Sequence, residues 1–286
     1  MKYVLEHCSW EMTRNCNMNC AHCCCGDKKN LTDQMLSPQK AVDVAHQIVE
    51  MGVKRVTLTG GEPFLREDWY EIANILSDGG VTVDLITNGT LICDEIVRHI
   101  QTAGITSVGV SLDGTRQTHD RLRCEGSYER CLAGVRQLVR EKIPVTAVTT
   151  IQKINLGELD ELADVLREER IKAWLLQLAM PFGNMKKNQD LMIEPNEIGK
   201  IIDFCFCQQR KDGLSIFMGD SIGYYTNKET IVRSRVLGTD TPVVWRGCPA
   251  GIHSLNIAYN GTILGISLCV DELRAGSLHK RSLKEI

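Results

Sequence analysis

The sequence predicts an α/β protein: a partial (β/α)6 parallel barrel with a small irregular C-terminal extension. Two observations carry this expectation. From residue 54 to 178, short β-branched runs alternate with amphipathic helical stretches, the pattern of parallel strands joined by crossover helices. Beyond residue 180 that rhythm stops at Pro181-Phe182-Gly183 and gives way to one helix and then glycine-rich turns.

The elements follow in order. Residues 8–14 read as a first strand running into a cysteine-rich loop, and 55–59, 81–87, 107–112, 145–151 and 173–178 as the next five. Ser37-Pro38 supplies a cap and a first-turn proline for a helix ending at Gly52. Ile92, Ile96, Val97 and Ile100 share one face of a helix over 92–103, with Gly104 beyond. Asn155-x-x-Glu158 reads as the cap of a helix over 159–169, and another helix lies near 197–209. Six parallel strands, as an open sheet or a partial barrel, place chemistry at their carboxyl ends. A domain boundary is expected near residue 185, dividing 1–185 from 186–286.

Composition narrows the function. The chain of 286 residues is 43% hydrophobic and 24% charged with a net charge of −3, values of an ordinary globular protein. It has no run of five or more Lys and Arg, so nucleic acid is not an expected partner. No apolar stretch reaches the roughly eighteen residues of a membrane span, and the opening Met-Lys-Tyr-Val-Leu-Glu-His breaks too early for a secretory signal. A cytoplasmic location without a membrane partner is expected. In that reducing compartment the 13 cysteines read as metal ligands, catalytic groups or buried thiols rather than disulfides.

Five of them, Cys16, Cys20, Cys23, Cys24 and Cys25, fall within ten residues. Cys16-x3-Cys20-x2-Cys23 supplies thiolates at a spacing that selects soft metals or iron–sulfur clusters, and three ligands on four irons leave one open. The same loop also suits zinc, completed by His22, Cys24 or Cys25, or a set of unrelated buried thiols. Cys93, Cys124, Cys131, Cys205 and Cys207 read as buried. Gly60-Gly61-Glu62-Pro63 ends one predicted strand, Thr87-Asn88-Gly89 the next and Ser111-Leu112-Asp113-Gly114 the one after, with His119-Asp120-x-x-Arg123 following. Paired glycines admit close backbone approach, and a carboxylate suits an ammonium group.

Together these segments resemble the radical S-adenosylmethionine (radical SAM) superfamily. The resemblance implies a 4Fe–4S cluster on Cys16, Cys20 and Cys23. It implies cofactor contacts from Gly60, Gly61, Glu62 and Pro63 to the methionine amino group, from Asn88, Ser111 and Asp113 to ribose and carboxylate, and from Arg123 to the methionine carboxylate. His22 stands where the family usually has an aromatic residue against the adenine. The implied activity is reductive cleavage of S-adenosylmethionine to methionine and a 5'-deoxyadenosyl radical that takes hydrogen from a substrate, with an electron donor such as ferredoxin or flavodoxin.

Residues 219–225, 245–251 and 260–263 resemble the SPASM branch, which carries auxiliary iron–sulfur clusters and mostly modifies ribosomally made peptides. Residues 1–185 would then be the radical SAM domain and 186–286 an abbreviated SPASM-like or twitch-like extension. Cys248 and Cys269 would be auxiliary ligands, although the family usually places the second where this chain has Ile266. Cys205 or Cys207 is an alternative completion. With the loop beginning at residue 16, no peptide-recognition domain is expected before it. The expected substrate is a peptide or a small molecule; a haem- or quinone-pathway enzyme and an electron-transfer iron–sulfur protein are the alternatives.

Overall fold

The structure is a computed structural model describing residues 5–26, 35–209, 211, 213–219, 221–223, 226–245, 247–265 and 273–286. In chain order its elements are β1 (His7–Glu11), α1 (Pro38–Glu50), β2 (Arg55–Thr59), α2 (Trp69–Asp78), β3 (Thr82–Thr87), α3 (Asp94–Thr102), β4 (Ser107–Ser111), α4 (Arg116–Leu122) and α5 (Ser127–Arg140). There follow β5 (Val145–Ile151), α6 (Leu159–Glu168), β6 (Ala173–Leu178), α7 (Ile198–Gln208), β7 (Ser215–Met218), α8 (Asn227–Val236), β8 (Ser254–Ile257), β9 (Thr262–Leu264) and β10 (Arg274–Ser277). The fold is mixed α/β with mostly parallel strand pairing.

The chain divides into two compact units. The first comprises Met1–Asn19, Cys24–Val108 and Pro249–Ile286. Its β1 pairs in parallel with β2 on one side and β8 on the other, β2 continues to β3, and β8, β9 and β10 run antiparallel. Ser37 Oγ accepts the Lys40 N–H at 3.3 Å with Pro38 in the first turn, which starts α1 as its sequence predicts. Ala41, Val44, Ala45 and Ile48 then fall on one buried stripe. Val56, Leu58, Ile72, Leu76, Val83 and Leu85 complete a core without exposed surface, each large side chain worth about 1.5–3 kcal/mol in removal from water.

The second unit comprises Cys20–Cys23 and Gly109–Cys248. It holds parallel β5, β6 and β7. Trp174 on β6 is fully buried, donates Nε1–H to Thr149 Oγ1 at 2.8 Å and meets Phe204 of α7 edge to face. The indole thereby fills volume without leaving its one donor unpaired.

Four sequence expectations change. The first strand ends at Glu11, after which Met12 N–H makes a last bond to Thr59 O and the backbone leaves the ladder. Asn155 does not cap α6. Its Oδ1 accepts from Gln152 N–H and its Nδ2 donates to the carbonyls of Asp113 and Thr150, so the amide closes the strand-end turn instead. Cys93, Cys124 and Cys207 are exposed; only Cys131 and Cys205 of that group are buried. The turn-rich sequence after residue 185 also carries strands β7 to β10, and Pro249–Ile286 is grouped with the N-terminal strands. Among the described residues no helix is long and apolar enough to cross a membrane.

Candidate functional site

In the first unit, the turn after β2 packs directly on the beginning of the cysteine loop. Gly61 N–H donates to Thr13 O at 2.6 Å and Glu62 N–H to Asn15 O at 2.8 Å. A Cβ on Gly60 would lie 2.6 Å from the Thr13 carbonyl oxygen, and one on Gly61 would overlap that of Asn15. The paired glycines are therefore required for this backbone-to-backbone approach. Glu62 is fully buried. Its Oε1 accepts from Thr87 Oγ1 at 2.8 Å and its Oε2 from Asn88 N–H at 2.8 Å. Pro63 opens a short 3-10 turn, Pro63–Leu65.

Asn88 spends its amide on the loop: Nδ2 donates to Asn17 Oδ1 at 2.8 Å, and Oδ1 accepts from Thr90 N–H and Oγ1. Arg66, 4% exposed, donates to Met12 O at 2.9 Å and Leu36 O at 3.2 Å while paired with Asp68. One buried guanidinium thus ties together the two ends of the segment 13–35.

In the second unit, Asp113 is fully buried and meets Arg123 Nε at 2.5 Å and His22 Nε2 at 3.2 Å. Burial alone would raise its pKa, but Arg123 and then His22 outweigh it and hold the carboxyl below the usual carboxylate range. Arg123 Nη1 also stands 4.0 Å from Cys20 Sγ, a cation beside a candidate thiolate. His119 is fully buried, and its Nδ1 accepts the Asp113 N–H at 3.2 Å. Burial and then Arg123 lower its pKa to about 4, which keeps the ring neutral. Ser111 closes β4 and is buried.

Two histidine nitrogens, His22 Nδ1 and His119 Nε2, are buried without a hydrogen-bond partner, as are both amide atoms of Gln152 just past β5. Sequence reasoning named neither His119 nor Gln152 as a site residue. The histidine was legible in the His119-Asp120-x-x-Arg123 segment, whereas Gln152 had no signal.

Cys16, Cys20, Cys23, Cys24 and Cys25 are half-buried and none of them is in a disulfide; the sulfurs of Cys24 and Cys25 lie 4.0 Å apart. Among the described residues, no three His, Cys, Asp or Glu side chains converge as a preformed metal cage. Cys248 is exposed, and Cys269 lies outside the described residues. Cys205 is buried inside α7, and burial pushes its thiol up to about 12. The donor set of the loop nonetheless fits an iron–sulfur group with a nucleoside cofactor. Accessible thiols stand in one short loop, a cation lies beside Cys20, and the buried His22 Nδ1 is unpartnered within that loop.

Parallel strands whose ends carry a glycine turn, a buried carboxylate and a cysteine loop define a fold for binding a cofactor at strand termini. Residues 10–166 match the radical SAM superfamily, and the chain belongs to that superfamily, whose members use a 4Fe–4S cluster and S-adenosylmethionine. It is 31% identical over 210 residues to an AdoMet-dependent heme synthase of Methanosarcina barkeri, covering 73% of this chain and 60% of that protein. It is 30% identical to the sporulation killing factor maturation protein SkfB of Bacillus subtilis, over 58% of this chain and 40% of that one. The structure of Streptococcus suis SuiB bound to precursor peptide SuiA shares the fold with a TM-score of 0.77 at 14% identity, covering 99% of this chain and 64% of SuiB.

Proposed function

We propose that this chain is a radical SAM enzyme that binds a 4Fe–4S cluster through Cys16, Cys20 and Cys23, and S-adenosylmethionine through the residues around it. The observation that carries the reading is the packing of the Gly60–Glu62 turn onto the start of the Cys-x3-Cys-x2-Cys loop within a chain of this superfamily. When bound, the cluster and S-adenosylmethionine supply a one-electron cleavage to methionine and a 5'-deoxyadenosyl radical that takes hydrogen from a substrate carbon.

The chain's own groups do the rest. Gly60, Gly61, Glu62 and Pro63 receive the methionine amino group, and Asn88, Ser111 and Asp113 line the ribose and carboxylate. Asp113 also holds Arg123 charged and oriented for the methionine carboxylate, and His22 faces the adenine. Glu62, Pro63, Asn88, Ser111, Asp113 and His22 are buried, which limits the access of water to the reacting region. Residues 1–185 carry this chemistry and 186–286 form a SPASM-like extension, with Cys248 and Cys269 as auxiliary ligands. The protein acts in the cytoplasm, with ferredoxin or flavodoxin as electron donor.

The substrate is a ribosomally made peptide. SkfB, a maturation protein, and SuiB, bound to its precursor peptide, support this reading. A second reading, a porphyrin of the haem pathway, is favoured by one observation: the heme synthase aligns with 73% of this chain against 58% for SkfB.

Anaerobic reconstitution with iron and sulfide, then dithionite and S-adenosylmethionine, tests the activity. It is expected to yield 5'-deoxyadenosine in the wild type and none in Cys20→Ala. A reconstituted cluster that makes none would reject the enzymatic reading, and zinc without a cluster would reject the family chemistry. Addition of an iron porphyrin or a precursor peptide then separates the substrates by which one is altered in mass.

A further inference from the structure

Resting on the proposed cluster ligands, we infer that Asn184 and Asn188 are positioning residues that hold the backbone of the cysteine loop in its cluster-binding form. After β6 the chain turns through Pro181-Phe182-Gly183, with Gly183 at φ 53°, into a short 3-10 segment, Gly183–Lys187. Met185 is fully buried and anchors this turn. From it, Asn184 N–H donates to Cys23 O at 2.9 Å, Asn184 Nδ2 to Cys20 O at 2.9 Å and Asn188 Nδ2 to Ala21 O at 2.9 Å. On the other side Ala21 N–H donates to Leu122 O at 2.8 Å.

Three of the four carbonyls between Cys20 and Cys23 are thus bound by one turn, two of them by carboxamide side chains. A primary amide suits this task because it offers two donors on a short, stiff stem, and the carbonyls need donors. The isosteric carboxylate would set one acceptor against another. These bonds fix the peptide groups that carry the thiols of Cys20 and Cys23. Outer groups that orient ligands typically change metal affinity about 10–100-fold when removed.

The test compares reconstituted wild type with Asn184→Asp, Asn188→Asp and Gln189→Glu. The last makes the same charge change on the exposed residue next to Asn188, whose Nε2 donates to Lys186 O rather than to the cysteine loop. The readouts are the rate of iron release to a ferrous chelator under anaerobic conditions, the spectrum of the reduced cluster, and the apo-protein unfolding midpoint. Asn184→Asp is expected to release iron at least about tenfold faster with an altered cluster spectrum, and Asn188→Asp to do so to a lesser degree. Gln189→Glu should match the wild type, and the apo midpoints should stay close together.

Wild-type release rates in folded Asn184→Asp, or an equal effect in Gln189→Glu, would overturn the inference. If Asn184→Asp does not fold, Asn188→Asp, which loses the Nδ2 donations to Ala21 O and to Asn184 O, decides it by the same criteria. A wild type that takes up no cluster would instead overturn the ligand assignment itself, and this inference with it.

Discussion

Arg123 donates its Nε–H to Asp113 Oδ2 at 2.5 Å, and the two side chains are 10% and 0% exposed. Such a pair is weak evidence for stability as a whole but costly to break from one side, because the remaining charge stays buried. Asp113 also receives Thr150 N–H at 2.8 Å, so its carboxylate joins β5 to the turn after β4. Asp113→Asn is therefore expected to lose about 3–5 kcal/mol in urea unfolding. The double variant Asp113→Asn/Arg123→Met should lose less than the sum of its single changes. Additive losses would show that the two groups do not act as a pair.

Glu62 has both carboxylate oxygens engaged by donors, Thr87 Oγ1 and Asn88 N–H. Glu62→Gln necessarily presents an NH2 group to one of them. The expected cost is about 1–3 kcal/mol, read as a lowered melting temperature. Equilibrium dialysis of the reconstituted protein should show weakened S-adenosylmethionine binding as well. Unchanged binding in a folded variant would remove Glu62 from the cofactor site.

Gly61 and Gly157 make a matched pair of glycine-to-alanine tests. At Gly61 the new methyl overlaps the Asn15 carbonyl oxygen, backbone that cannot swing aside, whereas at Gly157 nothing lies within 4 Å. Gly157→Ala should be neutral or stabilise by up to about 1 kcal/mol. Gly61→Ala should lower the melting temperature and reduce iron uptake on reconstitution, since the turn and the cysteine loop must separate. Equal behaviour of the two variants would argue against the close approach.

His119 gives a pH dependence of stability. Burial, then Arg123, lower its pKa from 6.5 to about 4, although Asp113 and Asp120 pull the other way. As pH falls below 6.5 the unfolded chain gains a proton that the folded ring does not. The contribution is therefore fully present above 6.5 and is lost down to about 4. The loss is on the order of 3 kcal/mol across that window. Urea titrations between pH 7.5 and about 4.5 should show a shallower decline in His119→Gln than in the wild type. Parallel slopes would mean that the ring titrates normally in the fold.

The strands 55–59, 145–151 and 173–178 were legible to the residue because each is a β-branched or apolar run between turn signals, with no competing local structure. The segment Asn155-x-x-Glu158 was misread because its local pattern admits a cap while the folded chain offers Asn155 better partners in Asp113 O and Thr150 O. Cys93, Cys124 and Cys207 were misread for a related reason. Burial is a property of packing, and a residue type carries only an average preference for it.

By itself the sequence determined the family, the order of βα units and the short segments that carry the site. Local spacing such as Cys16-x3-Cys20-x2-Cys23 and Gly60-Gly61-Glu62-Pro63 is written in consecutive residues. Only the tertiary structure decided which groups those segments meet. Arg66 reaches Met12 and Leu36, His119 carries the Asp113 backbone, and Asn184 and Asn188 hold the Cys20–Cys23 carbonyls from more than 160 positions away. Buried donors and acceptors must find partners wherever packing brings them, and linear spacing does not encode that proximity.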